Sequence, residues 1–122
     1  DGGIKGSTVN VLGATFKENC PDIRNSKTFE VVSELQSYGV NVRLADPLAD
    51  PRDVEHEYGY RLTPMNELYP ADAVISCVPH RELRENLDKN WASWLKADGV
   101  WVDVKGGFDI RPYAGRCTYW SL

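Results

Sequence analysis

Three short runs constrain what this chain can fold into: VNVL at 9–12, AVISCV at 73–78 and VWVDV at 100–104. Each is almost continuously apolar, whereas a strand wetted on one face would alternate with polar residues. Strands buried on both faces need cover on both faces, and the segments between them can supply it. From Ser26 onward Phe29, Val32 and Leu35 recur at helical spacing, with Val31 beside them, Ser26 placed to cap the start and Gly39 to stop the end. Glu82 to Leu95 carries Leu83, Leu87, Trp91, Trp94 and Leu95 as a helical or broken-helical stripe. VNVRLA at 40–45 alternates and halts at Asp46-Pro47, as a further strand would. Leu48 to Tyr58 reads as a short helix, Tyr60 to Leu62 as a brief edge strand and Met65 to Leu68 as one helical turn. Strands that alternate with helices predict a three-layer, Rossmann-like α/β domain with a mainly parallel sheet. Right-handed crossovers leave few topologies, and the order 3-2-1-4-5 is expected. The domain is expected over 7–108, after a linker at 1–6 and before a tail at 109–122. The tail's aromatics, Tyr113, Tyr119 and Trp120, form no readable motif; they can pack on the core or on another domain.

The length fits one domain with a core that needs no covalent staples. Fourteen Lys and Arg against 18 Asp and Glu give a net charge of −4, which argues against nucleic acid and anionic membrane surfaces as partners. No run approaches the roughly 20 apolar residues of a membrane span. The polar, Gly-rich start lacks an initiator Met and has no signal-peptide pattern, so the chain reads as a piece of a longer protein. Three cysteines at wide spacing, Cys20, Cys77 and Cys117, suggest neither a disulfide framework nor a metal site; reduced thiols and a cytoplasmic location fit them.

In a parallel sheet the strand C-termini share one edge, and ligands bind beyond it where the winding direction reverses. GATFKENCPDIRNS at 13–26, PHR at 79–81 and KGG at 105–107 all begin at such ends. A dinucleotide site would show GxGxxG after the first strand. Here Gly13 stands alone before Ala14, Thr15 and bulky Phe16. Asp46 lies beyond the usual interval of about 20 residues for a ribose-binding acid, and Asp46-Pro47 reads as a strand-ending turn. Lys17 and Lys105 each follow a buried strand closely. Either alone reads as a solvated surface lysine; two ammonium groups over the switch point suit a phosphate or a nucleotide sugar. Phe16 either offers a base a stacking surface or belongs to the core. Asp22 and Arg24 are placed to pair. Cys20 would need a base to act as a nucleophile; His80 is the nearby candidate, and it reads as lining or capping the loop. Cys77 reads as a core residue.

GATFKENCPDIRNSK, LADP, AVISCVPH and VWVDVKG together resemble the C-terminal domain of the UDP-glucose/GDP-mannose dehydrogenase family, from about Ser7 to about Phe108. The ENCPD version resembles the branch acting on UDP-N-acetylhexosamines in bacterial surface-polysaccharide synthesis. The resemblance implies a three-part, at least dimeric enzyme: an N-terminal NAD-binding domain, a central helical region with the catalytic Cys, and a C-terminal domain that closes over the substrate's nucleotide. It implies a two-step, four-electron oxidation of the sugar C6 alcohol to a carboxylate. By position Phe16 and Lys17 match the substrate-contacting pair, Lys105 a basic substrate contact and Arg24 an arginine that reaches the NAD. No residue here matches the family's catalytic Cys or its Gly-rich NAD loop, so neither a catalytic residue nor a metal ligand is expected in this chain. The competing reading is a stand-alone Rossmann-like binding or interaction module without catalysis.

Overall fold

The computed structural model describes residues 5–122, so most of the expected linker lies outside the described residues. Five strands form one sheet in which every pair is parallel: β1 (Thr8–Leu12), β2 (Asn41–Ala45), β3 (Ala71–Ser76), β4 (Leu95–Asp103) and β5 (Cys117–Ser121), in the order β2-β1-β3-β4-β5. The predicted α/β class and arrangement hold. β2, β1, β3 and β4 are the runs singled out above, and the differences fall at the edges. Tyr60–Leu62 does not become a strand; the chain there touches β2 through one bond, from the Thr63 N–H to the Leu44 carbonyl (2.7 Å). At the opposite edge the tail adds β5 beside β4.

Helices cover both faces. α1 (Thr28–Ser37) and α2 (Pro51–Tyr58) pack on one side, around Val9, Val11, Phe29, Val32 and Val54. α3 (Arg81–Glu85) and α4 (Leu87–Trp94), broken at Asn86, pack on the other, around Leu12, Val74, Trp91, Trp94 and Trp101. Neighbours along β1 thus serve opposite layers, which is why the strand tolerates no polar alternation. Asn10 is the exception; its side-chain amide donates to the carbonyls of Trp94 (2.8 Å) and Tyr69 (3.1 Å). Tyr113, in the tail, stacks on Trp91 with ring centroids 3.9 Å apart and belongs to the core, whereas Trp120 on β5 is 61% exposed.

Local chemistry sets the helix ends. Asp50 accepts the Arg52 N–H (2.8 Å) and Pro51 opens α2, while Gly59 closes it in the left-handed region at φ 75°. The Ser26 hydroxyl receives the Thr28 N–H at 3.3 Å, and the Thr28 hydroxyl donates to the Gly13 carbonyl (2.8 Å), tying the start of α1 to the end of β1. Among the described residues no helix is long and apolar enough to cross a membrane.

Candidate functional site

Because every strand runs the same way, the loops after β1, β2, β3 and β4 gather at one edge. The winding reverses between β1 and β3, so the switch point lies between the loops beginning at Gly13 and at Cys77. These two loops touch. Gly13 sits at φ 97°, and a Cβ there would lie 2.7 Å from both the Cβ and the backbone N of Val78. The glycine is required by this crossing. The same contact fills the space where a pyrophosphate would have to approach the backbone.

Asp46, at the end of β2, knots the edge together. One carboxylate oxygen accepts the N–H groups of Leu48 (2.7 Å) and Ala49 (3.0 Å); the other accepts the Ala14 N–H (2.6 Å) and lies 2.8 Å from His80 Nε2. Burial pushes this carboxyl up, but the His80 and backbone hydrogen bonds outweigh it and hold the group below the usual carboxylate range. With four donors already satisfied, Asp46 has no oxygen for a ribose, and Gly13 no room for a pyrophosphate. The chain's own residues therefore do not fit a self-sufficient dinucleotide site. Asp46 is the strand-ending turn that the sequence suggested, with a larger structural task.

Asp103, at the end of β4, does for the KGG loop what Asp46 does for the first. It is fully buried and accepts from the Ser76 hydroxyl, the Gly106 and Phe108 N–H groups and the Tyr119 hydroxyl, each at 3.1 Å. Gly107 lies so close against Pro79 that a side chain could not fit between them. The β3 loop thus wedges between the β1 and β4 loops and fixes their separation.

Phe16 and Lys105 line one cleft of about 140 Å³, with Asn25, Lys27, Val31 and Val78. The Phe16 ring is 51% exposed, so it is not a core residue. It also forms one wall of a wider groove of about 980 Å³ running along α1 toward Tyr58. Lys17 is exposed on the same loop as Phe16 but does not line the cleft. Arg24 is exposed and forms a two-pronged pair with Asp22 (3.0 and 2.8 Å), which holds the Asp22 carboxyl at about 2. His80 cannot serve Cys20 as a base, because both of its ring nitrogens are committed elsewhere. Burial raises the Cys77 thiol to about 11, so it stays protonated near neutrality. Lys27, a second ammonium at the cleft beside Lys105, was not assigned a role from sequence; it sits at the start of a helix, where a cation reads as surface. Asp103 was also missed, and its one signal was an acid inside an apolar run ahead of two glycines. Among the described residues no cluster of three or more His, Cys, Asp or Glu could hold a metal ion.

The parallel sheet, its covered faces and the polar edge at its switch point define a Rossmann-like α/β domain. The sequence model for the UDP-glucose/GDP-mannose dehydrogenase family, UDP binding domain, matches residues 10–110, and the chain belongs to that family. It is 43% identical over 103 residues to Protein CapL of Staphylococcus aureus and 38% identical over 104 residues to the UDP-N-acetyl-D-glucosamine 6-dehydrogenase of Salmonella typhi. Each match covers 84% of this chain and 24% of the relative, so the chain spans about a quarter of their length. The likeness to UDP-N-acetylhexosamine enzymes agrees with the branch that ENCPD suggested. A UDP-N-acetyl-mannosamine dehydrogenase structure from Pyrococcus horikoshii superposes with a TM-score of 0.72 at 18% identity, over 98% of this chain and 26% of that one; it shows the shared fold.

Proposed function

We propose that this chain is the substrate-nucleotide domain, the expected 7–108 with the tail's β5 added to its sheet, of a cytoplasmic NAD-dependent UDP-sugar 6-dehydrogenase that supplies uronic acids for surface polysaccharide. The reaction takes four electrons from the sugar C6 alcohol in two steps and leaves a carboxylate. The nucleophilic Cys and the main NAD site belong to the missing domains of an enzyme that works as a dimer or larger. One observation carries the reading: a half-exposed aromatic ring and a strand-end ammonium, Phe16 and Lys105, share a cleft at the switch point. Phe16 offers a face to the base. Lys105 and Lys17 offer point charges to the diphosphate, whose oxygens accept charge-assisted hydrogen bonds. Arg24, on the outer side of the same loop, is the group that reaches the cofactor held across the domain boundary.

Titration of the isotope-labelled chain with UDP, followed by NMR, tests this. The Phe16, Lys17 and Lys105 amides should shift with weak saturation. One wall of a two-walled cleft lacks contacts worth several kcal/mol, so binding should be roughly a thousandfold weaker than in the whole enzyme. Shifts gathered instead at Arg43, inside β2, and at Tyr69, ahead of β3, would refute the assignment.

A further inference from the structure

We propose that His80, as the neutral imidazole protonated on Nε2, is the positioning residue that holds the Phe16–Lys17 loop in its nucleotide-binding shape; this rests on the nucleotide-site reading above. The protonation state follows from the partners. Nδ1 lies 2.9 Å from the backbone N of Asn19, which can only donate, so Nδ1 carries a lone pair. The ring proton is then on Nε2, shared between the Asp46 carboxylate (2.8 Å) and the Thr15 hydroxyl oxygen (3.1 Å). The Thr15 hydroxyl spends its own proton on the Lys17 carbonyl (2.9 Å), so its oxygen is free to accept. All donors and acceptors match in one tautomer alone. A ring so committed, with no exposed surface, cannot serve as a base for anything in the cleft.

The loop depends on this ring because it has little else. Phe16 N–H donates to the Asp22 carbonyl (2.7 Å), closing the loop on itself. Among the described residues the hydrogen bonds that tie 16–22 to another element are the two made by Asn19. Its N–H donates to His80, and its side-chain oxygen accepts the Arg81 N–H (2.7 Å). Asn19 sits at φ 59°, a conformation that asparagine tolerates better than most residues but that still needs holding. The path from Asp46 through His80 to Asn19 and Thr15 thus sets where Lys17 and Phe16 stand.

Two measurements on the full chain test the assignment. A long-range proton–nitrogen spectrum near neutral pH should show Nδ1 of His80 unprotonated and Nε2 protonated; the opposite tautomer or a charged ring overturns the proposal. Two variants then separate loop positioning from bulk stability. His80→Asn places an amide oxygen near the site of Nδ1 and can keep the Asn19 bond. His80→Gln reaches toward Asp46 and loses it. Both lose the ring and should melt lower. His80→Gln should speed exchange of the Asn19 amide and weaken UDP about tenfold, with much of both recovered in His80→Asn. Equal losses in the two variants, tracking melting temperature, make His80 merely structural and overturn the proposal. If the unaltered chain binds no UDP at any attainable concentration, the nucleotide reading fails instead, while unchanged Asn19 exchange in His80→Gln sinks the His80 assignment separately. Should neither variant fold, the tautomer of the unaltered chain decides.

Discussion

At the scale of single residues, the segment from Phe16 to Phe29 separates side chains that hold the fold from side chains offered outward. Phe29 is buried and stacks on Tyr58 with centroids 3.7 Å apart, whereas Phe16 is half exposed. Phe29→Ala should therefore cost about 3–5 kcal/mol of stability. Phe16→Ala should leave the melting temperature nearly unchanged while weakening UDP; a large loss of stability in Phe16→Ala would return that ring to the core. On the proposed reading Lys17 and Arg24 divide in the same way in the intact enzyme. Lys17→Ala should then remove a charge-assisted bond to the nucleotide sugar, a loss of about ten- to a hundredfold in its apparent affinity. Arg24→Ala should chiefly weaken NAD, with Arg24→Lys a partial rescue because a point charge cannot copy the planar fork. The Asp22 pair is exposed and screened, so neither arginine variant should shift the melting temperature much. Equal weakening of both ligands in both variants would show that the two residues only shape the loop.

At the scale of elements, the contact between the β1 and β3 loops is the joint on which the site depends. Gly13→Ala adds a methyl at φ 97° into Val78, and neither backbone can retreat without moving a buried strand end. Strain at that dihedral and the steric clash together should cost about 2 kcal/mol or more, read as a lowered urea midpoint. A variant as stable as the parent would mean that the crossing is loose. The elements that the sequence made legible are those buried on both sides, VNVL, AVISCV and VWVDV, because burial leaves a continuous apolar run. β5 was not legible: CTYWS pairs on one side only, lies largely exposed, and owes its place to the Tyr113 packing and the Tyr119–Asp103 bond. Tyr60–Leu62 shows the reverse error, since its apolar ends serve packing under β2 without a ladder. Of the candidate site, Phe16 and Lys105 could be placed together because strand ends in a parallel sheet share an edge. Lys27 at the cleft and the bond from His80 to Asn19 could not, because they depend on how far two loops lean toward each other.

At the scale of the whole molecule, a complete core with two covered sheet faces predicts that the chain folds alone, while the proposed placing of the nucleophile and main cofactor site on other domains predicts no turnover. NADH formed from any UDP-sugar by the purified chain would refute the second expectation, and a molten near-ultraviolet spectrum the first. Its response to acid follows from Asp46. The carboxyl is held below its ordinary value in the fold, against the pull of burial, by hydrogen bonds from His80 and from backbone N–H groups that are not made in the unfolded chain. The unfolded chain, with Asp near its ordinary value of about 3.9, therefore binds more protons than the fold in the window below that value. The Asp46 contribution to stability is full above about pH 4 and falls as the pH drops through the folded value, when protonated Asp46 can no longer accept from Ala14 and His80 as a carboxylate. The exposed pairs Asp22–Arg24, Asp50–Arg52 and Asp109–Arg111 shift in the same direction, but solvent screening leaves Asp46 to dominate. Urea midpoints measured from pH 7 down to pH 3 should show the Asp46-dependent decline setting in below about pH 4. Asp46→Asn, already weakened at pH 7, should show a shallower acid decline than the parent. A parallel decline in the two proteins would assign the acid sensitivity to the surface pairs and remove Asp46 from the centre of the fold's pH response.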